Sequence, residues 1–288
     1  MQASEIADFQ RLILDFYRDK GRDFAWRRTE DPYAIMVSEF MLQQTQTERA
    51  LPYYEHWFQH FPTLQSLAGA SLADVLVQWS GLGYNRRGRF LQEAARIIVD
   101  EYGGVFPDTA DALDALPGIG PYTARAIICF AFNRPEYFIE TNIRTVYMHH
   151  FSGYFQNPLA VRDTEIISLI KETLLTTNPR IFYYALMDYG AMLKKTEKRI
   201  NQKSAHYSKQ SRFEGSLRQA RGAILRALSR SEKPLSLDAI AKAENIDHER
   251  LLKAAAALEG EDMLIAEQEG YRIPRKKSSR GGAETAEF

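Results

Sequence analysis

The sequence predicts an all-α protein that ends in a small winged-helix-like domain. Apolar residues recur at helical spacing over most of residues 4–193. No alternation of polar and apolar residues, which is typical of a strand, persists before residue 260. Glycine and proline separate the apolar runs into helix-sized pieces. With 288 residues, of which 45% are hydrophobic, the chain can bury one large core or two smaller ones.

The helices before residue 194 are predicted from their apolar spacing and from the residues that end each run. Gly21 ends the first helix, Pro62 follows the third, and Asp108 is the expected cap of the seventh. The predicted helices are 4–20, 33–41, 46–60, 63–69, 71–80, 88–102, 109–115, 121–132, 143–151, 163–175 and 179–193.

The net charge of the chain is zero, but its basic residues are concentrated. Segment 194–230 carries eleven lysines and arginines against two glutamates, and a second cluster contains Arg86, Arg87 and Arg89. Basic stripes are typical of phosphate-binding surfaces, although solvated helix faces produce similar runs. Because segment 194–212 is also poor in large apolar residues, we expect a linker or an extended DNA-facing loop there.

A second domain is predicted from residue 213 onward. Helical patterns at 216–230, 239–243 and 247–259 precede a strand pattern at 263–273 with a tight turn at Gly270. Three helices and a hairpin in this order indicate a small winged helix over 213–274. The basic and glycine-containing tail, 275–288, is expected to be disordered.

Several classes of protein are disfavoured by the composition. Cys129 is the only cysteine, so an internal disulfide and a cysteine-based zinc or iron–sulfur site are excluded. It lies among apolar residues and is expected to be a buried, inert thiol. No apolar run approaches the roughly 20 residues that span a bilayer. No basic segment followed by an apolar one begins the chain, so we expect no signal peptide and a cytoplasmic location.

The turn Leu116–Gly120 is the first candidate functional element. Gly118 and Gly120 flank one residue, and Pro121 opens the next helix. Such a turn can aim backbone N–H groups at one phosphate oxygen beside the positive end of a helix. Glu140 follows twenty residues later, so an anion cradle and an acid could act together on a nucleoside bond. Alternatively, the glycines only end a helix and Glu140 only begins another.

Several strings within residues 24–193 resemble the helix-hairpin-helix (HhH-GPD) DNA glycosylase superfamily, and most closely the MutY-type adenine DNA glycosylases. The matching strings are Trp26-Arg27, Pro32-Tyr33, Ser38-Glu39-Phe40-Met41-Leu42-Gln43-Gln44-Thr45-Gln46, Gly81-Leu82-Gly83-Tyr84, Leu116–Gly120, Asn142-Ile143-Arg144 and Leu186-Met187-Asp188-Tyr189-Gly190-Ala191-Met192. The Met-Leu-Gln-Gln-Thr-Gln string is the most specific of these. Residues beyond about 213 do not resemble the oxidised-guanine-recognising domain usual in the family.

The resemblance implies a two-lobed helical core over residues 1–212. One six-helix lobe would cover about 27–135, and the second would combine 1–26 with 136–193. The basic loop 194–212 would replace the loop that carries an iron–sulfur cluster in the family. The four cysteine positions of that cluster fall near Lys194, Asn201, Ser204 and Gln210, so we expect neither a 4Fe–4S cluster nor another cofactor. A monovalent cation at the Leu116–Gly120 turn is the one metal that we leave open.

The resemblance also assigns the catalytic residues. Glu39 matches the acid that protonates the departing purine, and Asn142 matches the asparagine beside the catalytic water. Glu140 stands where the family has an aspartate, and its carboxylate is displaced by roughly an ångström, a shift that can cost about a hundredfold in rate. Three hypotheses follow. Glu140 acts as the same electrostatic group, the substrate or mechanism differs, or the protein binds lesions or abasic sites without cleavage.

Further residues are assigned to DNA binding by the same resemblance. Tyr122 occupies the position of the lysine in lyase-competent members, so we expect a monofunctional enzyme. Tyr122 also resembles the tyrosine of members that remove mispaired thymine or uracil. The residues expected in the base pocket or in the gap left by a flipped base are Trp26, Arg27, Gln43, Gln44, Tyr84 and Tyr122, and those expected at phosphates are Gly118, Gly120, Arg86 and Arg87.

Two classes of function therefore remain. The first is a base-excision glycosylase for adenine opposite 8-oxoguanine or guanine, with mispaired thymine or uracil as the alternative substrate. The second is a DNA-binding protein that recognises mispairs or abasic sites without turnover. In either case the expected partner is double-stranded DNA with a damaged or mismatched base. We expect a monomer associated with the nucleoid and not with a membrane.

Overall fold

A computed structural model describes residues 1–197, 200–205 and 212–274 of the chain. These residues form fourteen α-helices, three short 3₁₀ turns and one β-hairpin, which confirms the predicted all-α class. The tail 275–288, predicted to be disordered, lies outside the described residues, as do two pieces of the predicted basic loop. Within the described residues, no helix is both long enough and apolar enough to cross a membrane.

The helices before residue 200 follow the predicted order, and every helix end lies within three residues of its predicted position. They are α1 (Ala3–Lys20), α2 (Pro32–Leu42), α3 (Thr47–His60), α4 (Leu64–Gly69), α5 (Leu72–Trp79), α6 (Arg86–Glu101), α7 (Ala110–Asp114), α8 (Pro121–Phe132), α9 (Thr141–His150), α10 (Asp163–Thr173) and α11 (Pro179–Thr196). Short 3₁₀ turns occupy Ala25–Arg27, Ser152–Tyr154 and Ile200–Lys203.

The terminal segment contains α12 (Leu217–Ser229), α13 (Leu237–Glu244), α14 (His248–Glu259), β1 (Ile265–Glu267) and β2 (Gly270–Arg272). The strands are antiparallel, and Ala266 pairs with Tyr271. Leu235 and Tyr271 exchange two backbone hydrogen bonds of 3.0 and 2.9 Å, which fasten the hairpin to the loop before α13. Three helices followed by a hairpin are therefore present in the order that the sequence predicts.

The chain divides into two compact units whose boundaries differ from the predicted one. The first unit contains residues 1–55 and 93–211, and the second contains residues 56–92 and 212–288. The sequence placed 56–92 in the N-terminal domain, because nothing in its local pattern shows which distant helix will cover it. In the second unit, Ala73 and Leu76 of α5 are buried in one core with Ala220, Ile224 and Leu258.

The first unit has a core rich in aromatic side chains. The ring of Phe9 on α1 makes edge contacts with Tyr147 of α9 and with Phe182 of α11.

Helix α2 is apolar on nearly all sides, and every residue from Tyr33 to Met41 is buried. A helix with this pattern belongs inside a core. Asp31 caps it by accepting from the Tyr33 N–H, and Pro32 occupies the first turn.

The predicted basic loop is partly helical. Helix α11 extends to Thr196, so Lys194 and Lys195 belong to its last turn, where positive charge is favourable. Ile200 is buried. The Val161 N–H donates to the Lys203 carbonyl, and the Ala205 N–H donates to the Val161 carbonyl. The predicted linker is therefore anchored at least over 194–197 and 200–205, because one buried apolar residue and a parallel bridge hold it.

One predicted helix cap is also corrected. Thr109, and not Asp108, caps α7 by accepting from the Ala112 N–H. The Asp108 carboxylate instead pairs with Arg134 at 2.8 Å.

Candidate active site

The turn between α7 and α8 is a candidate anion site built from backbone N–H groups. Gly118 has a φ of +74°, a conformation that favours glycine, and the Ile119 N–H closes the turn by donating to Leu116. The N–H groups of Gly118 and Gly120 donate to no acceptor among the described residues. A Cβ built on Gly120 would meet no atom within 4 Å. Both amides are therefore available to an anion at the N-terminus of α8.

Glu140 lies at the start of α9 and is held by that helix. Its Oε1 accepts from the Asn142 N–H at 2.8 Å and from the Ile143 N–H at 2.9 Å. The second carboxylate oxygen accepts no hydrogen bond from the described residues, so it is available to a substrate or water. Burial raises the pKa of Glu140, while the two N–H groups and the charges of Lys194 and Arg144 act in the opposite direction.

Glu39 faces a different environment on the buried helix α2. Only 7% of the residue is exposed. Burial and then the charge of Glu140 raise the pKa of Glu39 to about 8, although a hydrogen bond from the Tyr122 hydroxyl opposes the shift. Two neighbouring carboxyl groups resist double ionisation, and the better-solvated one keeps the charge. Glu39, whose pKa is about 8, therefore holds a proton at neutral pH, whereas the two N–H donors favour the charged form of Glu140.

Tyr122, in the first turn of α8, connects the Leu116–Gly120 turn to this acid pair. Its ring makes an edge contact with Phe138 at 5.6 Å, and its hydroxyl reaches Glu39. Burial and the two carboxyl groups raise the pKa of Tyr122 well above its ordinary value. The phenol therefore remains a neutral hydrogen-bond donor.

Asn142 is positioned by a close approach of two helices. A Cβ built on Gly190 of α11 would lie 2.2 Å from the Asn142 carbonyl oxygen, so only glycine fits this crossing. The Asn142 side-chain amide forms no hydrogen bond with the described residues and is partly exposed. Sequence reasoning quoted Gly190 within a family string but assigned it no role. Its signal, an isolated glycine inside a helix, does not reveal which backbone approaches it.

Trp26 and Arg27, predicted to line the base pocket, lie in the core. The Arg27 guanidinium forms two hydrogen bonds, of 2.8 and 2.9 Å, with the Asp188 carboxylate. Arg22 binds the same carboxylate, which is only 3% exposed. The Trp26 ring stacks on Phe24 at 4.8 Å. The Arg27 guanidinium is therefore bound by the protein itself. Asp188 is a structural residue to which sequence reasoning assigned no role.

Two of the predicted gap-filling residues have unusual backbones. Gln44 has a φ of +56° and Tyr84 a φ of +49°, and both side chains are exposed. The other non-glycine residues with positive φ among those described are asparagines and an aspartate, which adopt this region readily. Such strain is concentrated at functional sites. The neighbouring Gln43 instead donates to the Gly118 carbonyl and the Thr123 hydroxyl, each at 3.4 Å.

The two predicted phosphate-binding arginines of the second unit differ in exposure. Arg86 is exposed, with its guanidinium over the Phe90 ring at 4.9 Å. Arg87 is 8% exposed and donates to the Gly83 carbonyl at 3.0 Å, with its guanidinium over the Trp79 ring. Arg87 therefore supports the turn that carries Tyr84, because its charge is directed inward rather than at solvent.

The side chains present do not fit an iron–sulfur cluster. Cys129 is buried in α8, where burial raises the pKa of its thiol. The predicted cluster positions within the described chain hold Lys194, Asn201 and Ser204, and the Asn201 amide oxygen accepts from Thr145 at 3.0 Å. No group of three or more histidine, cysteine or acidic side chains in the described ranges could hold a metal ion.

Comparison with known protein families decides the family. A family described as HhH-GPD superfamily base excision DNA repair protein matches residues 37–186, which make up more than half of the chain. The chain belongs to this superfamily. The predicted resemblance is therefore confirmed at the level of the HhH-GPD family.

The chain is similar to several adenine DNA glycosylases. It is 39% identical to that of Mycolicibacterium smegmatis over 180 residues, covering 62% of this chain and 61% of the relative. It is also 39% identical to the human protein over 197 residues, covering 65% of this chain and 36% of the relative. The match thus spans less than two thirds of these relatives.

Solved structures of other proteins share the fold of this chain. One is described as a thermostable thymine-DNA glycosylase, with 27% identity, a TM-score of 0.59 and coverage of 66% of this chain and 87% of that chain. Another is a trapped endonuclease III–DNA covalent intermediate, with 16% identity, a TM-score of 0.56 and coverage of 67% of this chain and 87% of that chain. The second shows likeness of fold alone.

Proposed function

We propose that this HhH-GPD protein is a monofunctional DNA glycosylase that hydrolyses the N-glycosidic bond of a base flipped from duplex DNA. Adenine opposite 8-oxoguanine or guanine is the leading substrate. The observation that carries the proposal is a pair of neighbouring carboxyl groups in different environments. Glu39 holds its proton at neutral pH, and two N–H donors favour the charged form of Glu140. A purine needs a proton to depart, and the sugar it leaves needs a negative charge beside it.

Each group then has one task. The Glu39 carboxyl donates its proton to the departing adenine as the bond between the base and C1′ breaks. The free oxygen of Glu140 stabilises the positive charge that develops on the sugar. The Asn142 amide orients a water molecule, whose hydroxide joins C1′ and whose proton passes to a carboxylate. A neutral Tyr122 hydrogen-bonds to Glu39 and fixes the orientation of the acid.

DNA binding follows from groups outside the acid pair. The N–H groups of Gly118 and Gly120 bind a phosphate without reading a base. Gln44 and Tyr84 replace the stacking lost when the base is extruded, which is worth about 1–3 kcal/mol per base. The partner is thus double-stranded DNA with a damaged or mismatched base, bound by a monomer at the nucleoid.

Cleavage assays test this proposal directly. Duplexes carrying A opposite 8-oxoguanine, A·G, T·G and U·G are incubated with the protein and then treated with alkali. We expect strand cleavage at the adenine duplexes, and no product with Glu140→Gln at unchanged binding. Glu101→Gln, a change of an exposed carboxyl on α6, is the matched control. Tight binding without cleavage of any duplex would refute the enzyme and favour the DNA-binding alternative.

Mispaired thymine or uracil is the second candidate substrate. Tyr122 lies against the acid pair, and one structural relative is described as a thymine-DNA glycosylase. Cleavage of T·G or U·G faster than A·G would assign this substrate class. In either case we expect no product of covalent trapping by borohydride, because Tyr122 supplies no amine at the position of the lyase lysine.

We further propose that the enzyme works without a 4Fe–4S cluster. The cluster loop is replaced by the end of α11 and by the anchored segment 200–205, which hold the fold by packing and hydrogen bonds. Lys194, in the last turn of α11, adds positive charge near Glu140. The purified active protein should contain no iron and show no absorbance band at about 400 nm, where thiolate-bound clusters absorb. An iron-bearing active preparation would contradict this.

A further inference from the structure

Two guanidinium groups of the second unit lie close to the ring of Tyr84. Arg218 of α12 donates a hydrogen bond to the Tyr84 hydroxyl, and its guanidinium carbon lies 5.4 Å from the ring centroid. The guanidinium carbon of Arg87 lies 5.5 Å from the same centroid. Cations at such distances are attracted to the face of an aromatic ring. The Tyr84 side chain is thus held in place although it is exposed.

Helix α12 is itself firmly placed against the element that leads to Tyr84. Its buried stripe, including Ala220 and Ile224, shares a core with Ala73 and Leu76 of α5. The turn after α5 is fastened by the Trp79 indole N–H, which donates to the Gly83 carbonyl at 3.2 Å. Arg218 therefore projects from a packed helix towards a turn that the same core supports.

The backbone of Tyr84 explains why such support is needed. A tyrosine with a φ of +49° is in an unfavourable region, and the conformation persists only where surrounding contacts impose it. The hydrogen bond between Arg218 and the phenol is such a constraint, because it ties the end of the Tyr84 side chain to α12. Releasing it would let the side chain and the turn relax together.

We propose that Arg218 is a positioning residue for Tyr84, which it holds ready for insertion into the duplex. The inference rests on the proposed function, in which Tyr84 fills the gap left by the flipped base. It gives a part in base extrusion to the residues beyond about 213, which do not resemble the family's oxidised-guanine-recognising domain. Arg218 acts through the tyrosine and touches neither the reacting sugar nor the departing base.

The test uses full-length protein and duplexes with 2-aminopurine beside the target adenine, whose fluorescence rises when stacking is lost. Arg218→Ala should lower both the fluorescence rise and the single-turnover cleavage rate about tenfold, as expected for one hydrogen bond with a charged donor. Arg218→Lys keeps a charged donor and should restore most of both signals. Lys233→Ala, which removes an exposed charge from the same unit, is the matched control.

A double-mutant cycle isolates the contact. Tyr84→Phe keeps the ring but removes the hydroxyl that Arg218 binds. In this background Arg218→Ala should cause little further loss, because neighbours that act through one contact are not additive. Fully additive losses in rate and fluorescence would overturn the inference. A wild-type response of Arg218→Ala in both signals would overturn it as well.

Salt dependence separates positioning from direct phosphate binding. A side chain that neutralises one phosphate contributes about one unit to the slope of log K against log salt. Arg218→Ala should leave that slope unchanged, and a reduction of about one unit would overturn the inference in favour of a phosphate contact.

If the wild-type protein extrudes the base but cleaves no duplex, the proposed enzyme fails while the inference survives on the fluorescence series. A wild-type protein without any fluorescence response would overturn the inference.

Discussion

The raised pKa of Glu39 predicts that this one carboxyl destabilises the protein in alkaline solution. The folded protein holds the proton of Glu39 up to about pH 8, whereas an unperturbed glutamate loses it at 4.5. In the folded state the proton is bound more tightly than in the unfolded chain. The stabilisation is therefore complete below the unfolded pKa and is lost as pH rises towards about 8.

The magnitude follows from the size of that shift. Each pKa unit corresponds to about 1.4 kcal/mol, so a shift from 4.5 to about 8 amounts to about 5 kcal/mol in the free energy of unfolding. Glu39→Gln has nearly the same shape and cannot ionise. The variant should therefore lack this loss, and its stability relative to the wild type should rise by several kcal/mol between about pH 5 and about pH 9.

Urea denaturation followed by circular dichroism measures the effect for the wild type, Glu39→Gln and the control Glu101→Gln. The wild type and the control should lose stability in parallel as pH rises, while the stability of Glu39→Gln should fall less. Equal pH dependence of all three proteins would refute the assignment of a buried, protonated acid at position 39.

Three further predictions concern activity. The single-turnover rate of the wild type should fall as pH rises through about 8, because Glu39 then loses the proton it must donate; a rate that is flat to alkaline pH would contradict this. Gly190→Ala should lose about a hundredfold in rate and lower the melting temperature, since its Cβ would lie 2.2 Å from the Asn142 carbonyl. Gly69→Ala, at the end of α4 with nothing within 4 Å, is the control that should leave both unchanged. Glu140→Asp should be slower by up to about a hundredfold, because the shorter carboxylate retracts from a pocket fitted to glutamate; a faster variant would show the opposite fit.

Both acids of the candidate site could be singled out from the sequence, through the resemblance to the family and through a local signal for each. Glu39 interrupts an apolar helix, and Glu140 precedes a helix at a fixed interval after a glycine turn. A carboxyl group in such a helix must be desolvated wherever the helix packs in a core. Periodicity therefore predicts the burial, although the proximity of Glu39 to Glu140 became visible only in the fold.

The contacts that position the site could not be predicted in this way. Arg27 finds Asp188 at a separation of 161 residues, and Gly190 meets Asn142 across a helix crossing. Such pairs depend on where helices pack, and the spacing of apolar residues does not encode the partner. The basic composition of residues 194–196 likewise indicated a loop, although lysine is a good helix former and α11 continues through them.

The core shared by α5 and α12 has a consequence for protein synthesis. Leu76 and Ile224 are 148 positions apart and bury the same apolar surface. At about 5–20 residues per second, a ribosome needs roughly 7–30 s to make the intervening chain. During that interval the face of α5 that carries Leu76 lacks its partner on α12, and transiently exposed apolar surface of this kind favours aggregation. A stop codon anywhere before α12 would leave that face permanently uncovered.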